Sequence, residues 1–149
     1  MIVCMKYQDP FWHDTIALAK ACSFQGAGAF LAACMEDNDF NEDDRVFAYL
    51  ENGTPIGFCT LTKENLDNDY PYTTWLDFIF VLEEYRGKGF AKALVETVCR
   101  YAKAQGYSTL HLLTVSHVEM YQKMGFTFIE NIVLQGNDTA SILCRKINL

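Results

Sequence analysis

Alternating apolar and polar positions, broken by turn residues, divide this chain into strands and helices. A first strand is predicted near residues 2–6, followed by a largely helical region from Pro10 to about Met35. Gly26 and Gly28 are expected to split that region into two helices. Residues 45–50 and 55–62 alternate as strands, and Asn52-Gly53 between them suits a hairpin turn. A polar loop, 63–74, leads into an apolar strand at 75–81. The next segment has helical periodicity from about Gly89 to Gln105. Phe90, Leu94, Val98 and Tyr101, backed by Ala91, Val95 and Ala102, form its buried stripe, and Gly106 is the expected stop. A strand at 109–114 follows. Ser116 and Glu119 form a capping-box pattern for a short helix that Gly125 ends. Residues 126–134 and 139–146 form a last hairpin around Gly136-Asn137-Asp138. Strands interleaved with few helices predict a mixed α/β or α+β sheet.

Composition narrows the class. With 149 residues, half of them hydrophobic and 14% aromatic, the chain is expected to be one domain with a sizeable core. The net charge of −7 argues against a general nucleic-acid binder, which needs clustered basic surface. No stretch has the run of apolar residues a membrane helix requires, so no membrane partner is expected. Residues 1–6 lack the charged start and apolar core of a signal peptide, and a cytoplasmic location follows as the default expectation. The six cysteines are scattered without Cys-x-x-Cys spacing and read as small core hydrophobes. The three histidines also lack ligand spacings, so no metal site is expected.

The chemistry concentrates where the strand ending at Val81 gives way to Leu-Glu-Glu-Tyr-Arg-Gly-Lys-Gly-Phe-Ala-Lys. Gly87 and Gly89 let the backbone turn tightly and bring a ligand close to bare amides. The helix that follows offers unpaired N–H donors and the positive end of its dipole, an arrangement suited to phosphate. Arg86, Lys88 and Lys92 add positive charge to this point of an acidic chain. Two other nucleotide-binding patterns fail here. A dinucleotide fingerprint needs a small residue where Lys92 stands, and a P-loop needs Gly-Lys-Ser/Thr after four intervening residues. A plain strand-to-helix turn is the bland alternative.

The spacing Arg86-x-x-Gly89-x-Ala91 resembles the acetyl-CoA signature of the GNAT superfamily of N-acetyltransferases. Farther along, Met120-Tyr121-Gln122-Lys123-Met124-Gly125-Phe126 resembles that family's second signature, usually Leu-Tyr-Glu-Lys-Leu-Gly-Phe. The two blocks cover roughly residues 75–129, and the flanking segments match only in plan. The resemblance implies a central, mostly antiparallel sheet flanked by helices and splayed between two parallel strands, with acetyl-CoA lodged in the gap. Periodicity alone does not reveal that splay.

Carried over residue by residue, the resemblance implies that Gly87, Lys88, Gly89, Phe90, Ala91 and Lys92 surround the pyrophosphate. It also implies that backbone groups of Ile79, Phe80 and Val81 face the cofactor arm. Arg86 either braces the loop or touches phosphate, and Lys88 and Lys92 are either phosphate neighbours or solvated. Tyr121 aligns with the tyrosine that faces the cofactor sulfur as general acid; a phenol stays protonated at neutral pH and can donate. Its alternative is an aromatic packed on the sheet. Thr114 stands where many relatives carry an asparagine contacting the arm, and His117 replaces a residue that is often small.

The reaction also needs an unprotonated amine. Strand alternation places Trp75, Asp77, Ile79 and Val81 on one side, so Asp77 is expected to share a face with residues near the acetyl group. Asp77 is the first candidate base, His111 the second, and water alone a third. An acidic run at 36–44 would form a rim attractive to a cationic amine, or else a solvated loop. Phe40, Tyr70, Tyr72 and Trp75 are open to either an aromatic acceptor pocket or plain packing. The leading expectation is an acetyl-CoA-dependent N-acetyltransferase acting on a primary amine of a small molecule or peptide. Hydroxyl and thiol acceptors, a noncatalytic acyl-CoA sensor and a structural interaction domain remain alternatives. Family members often pair, which leaves a homodimer open.

Overall fold

A computed structural model describes residues 1–66, 69–134 and 136–147, with the side chain of Gln25 also outside the description. Its strands are β1 (Ile2–Met5), β2 (Arg45–Glu51), β3 (Thr54–Thr62), β4 (Trp75–Val81), β5 (Thr109–Thr114), β6 (Thr127–Val133) and β7 (Thr139–Lys146). The helices are α1 (Trp12–Ala21), α2 (Gln25–Asp37), α3 (Phe90–Ala104) and α4 (Val118–Lys123). The strands form one sheet in the order β1-β2-β3-β4-β5-β7-β6. Every neighbouring pair is antiparallel except β4 and β5, which run parallel. This is the mixed, mostly antiparallel sheet that the family resemblance implies.

Apolar residues cover both faces of the sheet. On one, Leu94, Val95, Val98 and Ala102 of α3 pack on Phe47, Leu61, Leu76, Leu110 and Leu143. On the other, Trp12 and Ile16 of α1 with Leu31 and Met35 of α2 pack on Met5, Val46, Phe58 and Phe80. Trp12 Nε1 donates to the Met35 carbonyl at 3.2 Å, so the largest ring of that layer also satisfies its polar atom. Between β2 and β3, Asn52 and Gly53 both take positive φ, as a tight hairpin turn demands. The last hairpin turns through Gly136 and Asn137, next to Gln135, which lies outside the described residues. Among the described residues, no helix is long and apolar enough to cross a membrane.

The break between α1 and α2 departs from the sequence expectation. It falls at residues 22–24, where Cys22 turns extended, and both Gly26 and Gly28 lie inside α2. The small residue at 28 serves packing instead. A Cβ there would stand 2.4 Å from the Ala19 carbonyl oxygen and 2.9 Å from Cys22 Sγ. Gly28 is thus what lets α2 cross α1 closely. Gly28→Val should destabilise the fold by about 1–3 kcal/mol through overpacking; an unchanged urea midpoint would count against this crossing.

The feature that shapes the site is a bulge in β4. Phe58 pairs with Phe80 and Thr60 with Asp77, so Cys59 alone opposes both Phe78 and Ile79. Phe78 takes a left-handed conformation, φ 54°, uncommon for a bulky residue. The bulge reverses the alternation along the strand. Leu76, Ile79 and Val81 face α3, whereas Phe78 and Phe80 face α1 and α2. Asp77, opposite Thr60, therefore lies on the other face from Ile79 and Val81, contrary to the regular alternation expected from sequence. The parallel pairing of β4 with β5 is confined to Trp75 and His111. Beyond it the two strands diverge, and the second half of β4 has no ladder partner on its β5 side among the described residues.

Candidate active site

A cavity of about 720 Å³ occupies the gap between the diverging strands. Because the gap passes through the sheet, residues from both faces line it, from Phe24 and Ala27 on the α1–α2 side to Met120 and Tyr121 of α4. Asp77, Ile79, Phe80 and Val81 share this space. Asp77 meets it through the splay rather than through the common face that alternation implied.

One end is built by the start of α3. A short 3-10 turn, Glu83–Tyr85, follows β4. Arg86 then folds back so that its Nε donates to the Val81 carbonyl at 2.8 Å, with its guanidinium 5.5 Å from the Phe80 ring centre. Its geometry is that of a brace tying the loop to the end of β4, although it also lines the cavity. Gly87 and Gly89 have φ of 76° and 83°, in the region only glycine adopts freely. The first α3 bond runs from the Ala93 amide to the Gly89 carbonyl at 3.0 Å. The amides from Gly87 to Lys92 have no acceptor among the described residues. Gly87, Gly89, Phe90, Ala91 and Lys92 line the cavity, whereas Lys88 does not; its Nζ lies 5.6 Å from the Tyr85 ring centre. Bare amides, a helix start and Lys92 at one end of the cavity are a combination whose chemistry suits an anion.

Tyr121 stands across the cavity. Its amide bonds to the His117 carbonyl, and its own carbonyl accepts from the Met124 and Phe126 amides, so backbone on both sides fixes the ring. The residue is only 6% exposed, and its hydroxyl makes no hydrogen bond to a described residue. Burial, reinforced by the negative charge that Cys59 and Asp77 would carry, raises its pKa well above the ordinary value. The phenol therefore keeps its proton throughout the physiological range.

The capping box expected for α4 is not formed. The residue preceding the helix is His117, without a side-chain cap, which moves Ser116 and Glu119 one place out of register. Thr114 performs the local role. Its buried Oγ1 accepts the His117 amide at 3.1 Å, tying the end of β5 to α4 while lining the cavity.

Asp77 accepts a hydrogen bond from Asn65 Nδ2 at 3.0 Å, and its main-chain carbonyl accepts from Thr60 Oγ1. His111, the second candidate base, does not line the cavity. It sits at the closed end of the β4–β5 pair, its Nδ1 2.7 Å from the Thr73 carbonyl and its ring against Tyr72 and Trp75. Tyr70 also packs on Trp75 in this aromatic cluster, and none of these side chains reaches the cavity.

The acidic run also lies elsewhere. No residue from 36 to 44 lines the large cavity. Glu36 pairs with Lys20, and Asp44 accepts the amides of Asn41 and Lys63. Phe40 borders a separate small cavity and packs on Trp12. The aromatic residues that do wall the large cavity on the α1–α2 side are Phe24, Phe78 and Phe80. Reasoning from sequence missed their joint role, because it depends on where the α1–α2 junction sets Phe24 against β4.

Comparison with known proteins agrees with this geometry. Residues 12–126 match the family model described as the acetyltransferase (GNAT) family. N-acetyltransferase 8 of Homo sapiens is 48% identical over 89 residues, covering 57% of this chain and 36% of the human protein. N-alpha-acetyltransferase 80 of Mus musculus is 30% identical over 64 residues, covering 43% of this chain and 20% of the mouse protein. The chain thus spans little more than a third of the length of these relatives at most. In fold, the aminoglycoside 6'-N-acetyltransferase from Enterococcus faecium superposes with a TM-score of 0.78 at 14% identity, covering 99% of this chain and 97% of that one. An aminoglycoside 6'-N-acetyltransferase complexed with coenzyme A gives 0.77 at 14% identity with the same coverage. With more than half its length matched by the family model, this chain belongs to the GNAT acetyltransferase family.

Proposed function

We propose that residues 1–149 act as one acetyltransferase domain, transferring an acetyl group from acetyl-CoA to a primary amine by direct attack. The observation that carries this reading is a single cavity reaching from the bare amides of the α3 start to the buried phenol of Tyr121. The site fits coenzyme A chemically. Donors without acceptors at a helix start suit a diphosphate, and the unpaired edge of β4 offers main-chain groups to an extended arm. When bound, the thioester supplies an activated acetyl group.

In this reading, the amides of Gly87 to Lys92 hold the diphosphate, with Lys92 adding charge. Arg86 keeps the loop in position, and Thr114 holds α4 against β5. Main-chain groups of Ile79, Phe80 and Val81 lie along the acyl arm. Tyr121 donates its proton to the departing sulfur. Asp77 takes the proton of the attacking amine, directly or through water.

Thiol release from acetyl-CoA on addition of an amine tests the activity, and Asp77→Asn tests the base. An alkylamine loses its own proton near a pH of about 10. The deficit of Asp77→Asn in kcat/KM should therefore be large at neutral pH and shrink as pH rises toward that value. A deficit that stays constant with pH would remove Asp77 from proton transfer.

A further inference from the structure

The acceptor side of the cavity differs in character from the cofactor side, and the difference bears on which amine it takes. Phe24, at the junction of α1 and α2, stacks on Phe80 with ring centres 5.6 Å apart and planes 22° from parallel. Phe80 in turn stacks on Phe58 at 5.3 Å. Phe78 stacks on Phe30 of α2 at 6.0 Å and 9°. Phe24, Phe78 and Phe80 all border the cavity, and Ala27 leaves room between them. Asp77 contributes the only carboxylate among the described residues lining the cavity. Of the two lining cations, Lys92 belongs to the α3 start and Arg86 is held on the Val81 carbonyl.

These observations separate classes of amine. Among the described residues, a polycation brought into this space finds one carboxylate and otherwise mostly apolar or uncharged walls, at considerable desolvation cost. A monoamine places its single charge at Asp77 and its remaining surface on the rings. Flat stacked rings favour a flat apolar body. Resting on the acetyltransferase reading above, we infer that the acceptor is a small monoamine carrying an aromatic or similarly flat, uncharged group a short linker away from the nitrogen. This departs from the aminoglycoside acceptors named for the fold neighbours, which carry several amines.

The test compares kcat/KM for 2-phenylethylamine, spermidine, an aminoglycoside and a tripeptide beginning with phenylalanine, alongside calorimetric binding of coenzyme A. 2-Phenylethylamine is expected to exceed the two polycations by at least about tenfold, the scale of one buried aromatic contact. Phe24→Ser should raise KM for 2-phenylethylamine by a similar factor and leave KM for acetyl-CoA unchanged, with Phe24→Leu recovering most of the loss. The substrate ranking of the unaltered chain stands even if Phe24→Ser does not fold. Preference for spermidine or the aminoglycoside overturns this inference while leaving the acetyltransferase reading intact, as does coenzyme A binding without turnover of 2-phenylethylamine. Preference for the tripeptide overturns the small-molecule assignment. A sample that binds no coenzyme A overturns the acetyltransferase reading and this inference with it.

Discussion

Tyr121→Phe is expected to lower turnover by about 10²–10⁴-fold, the usual worth of a positioned general acid, while coenzyme A binds with nearly unchanged affinity. The substitution removes one oxygen and keeps the ring, and it is the ring that packs. Tyr121 sits edge-on to Phe126 with centres 6.2 Å apart, and its backbone is fastened at His117, Met124 and Phe126. Its hydroxyl engages no described residue, so its removal strands no partner. Loss confined to kcat thus reports on chemistry rather than on folding. The pH dependence follows from the raised pKa. A general acid works while protonated, and a pKa raised by burial delays loss of the proton to higher pH. Deprotonation of Tyr121 should therefore cause no fall in rate below the ordinary tyrosine value of about 10. Equal turnover for Tyr121→Phe and the unaltered chain would remove the acid role.

Gly89→Val is expected to abolish coenzyme A binding at concentrations that saturate the unaltered chain. Two effects act together. At φ 83° a β-branched residue is strained by roughly 1–2 kcal/mol, enough to tilt the loop away from its present path. A side chain at this position also points into space that is empty of protein, since a Cβ there meets nothing within 4 Å. In the proposed reading, a diphosphate held on the neighbouring amides approaches through that open space. The fold itself should tolerate the change better than the site, because Gly89 buries nothing of the core. Calorimetry should show no heat of binding with the urea midpoint lowered only modestly. Unchanged affinity would mean that the diphosphate does not rest on these amides.

How much of this was legible in the sequence depends on where local chemistry sufficed. The start of α3 was readable because glycines before an amphipathic stripe have one economical conformation, and the stripe of Leu94, Val95, Val98 and Ala102 is buried as its period predicts. The Asn52-Gly53 hairpin was readable for the same reason. Long-range geometry was not. Phe78 carries no mark of its left-handed backbone, and that conformation is imposed by register with β3, where one residue meets two. The error about Asp77 and its face follows directly from that unseen bulge. Gly28 looked like a helix breaker because a close crossing with Ala19 depends on where α1 lies in space. Thr114 rather than Ser116 ties down the α4 turn because the bend after β5 brings its hydroxyl to the His117 amide. The acidic run suggests a rim, but it lies away from the large cavity, where Glu36 pairs with Lys20, Asp44 accepts the amides of Asn41 and Lys63, and the others are exposed.

In the proposed reading, one continuous cavity holds coenzyme A with its diphosphate on the α3 amides and its sulfur toward Tyr121. A crystal structure of the chain grown with coenzyme A tests it most directly. Phosphate oxygens are expected within hydrogen-bond distance of amides between Gly87 and Lys92, with the thiol beside the Tyr121 hydroxyl. Coenzyme A lodged outside the gap between β4 and β5, or lying there with its thiol remote from Tyr121, would contradict it.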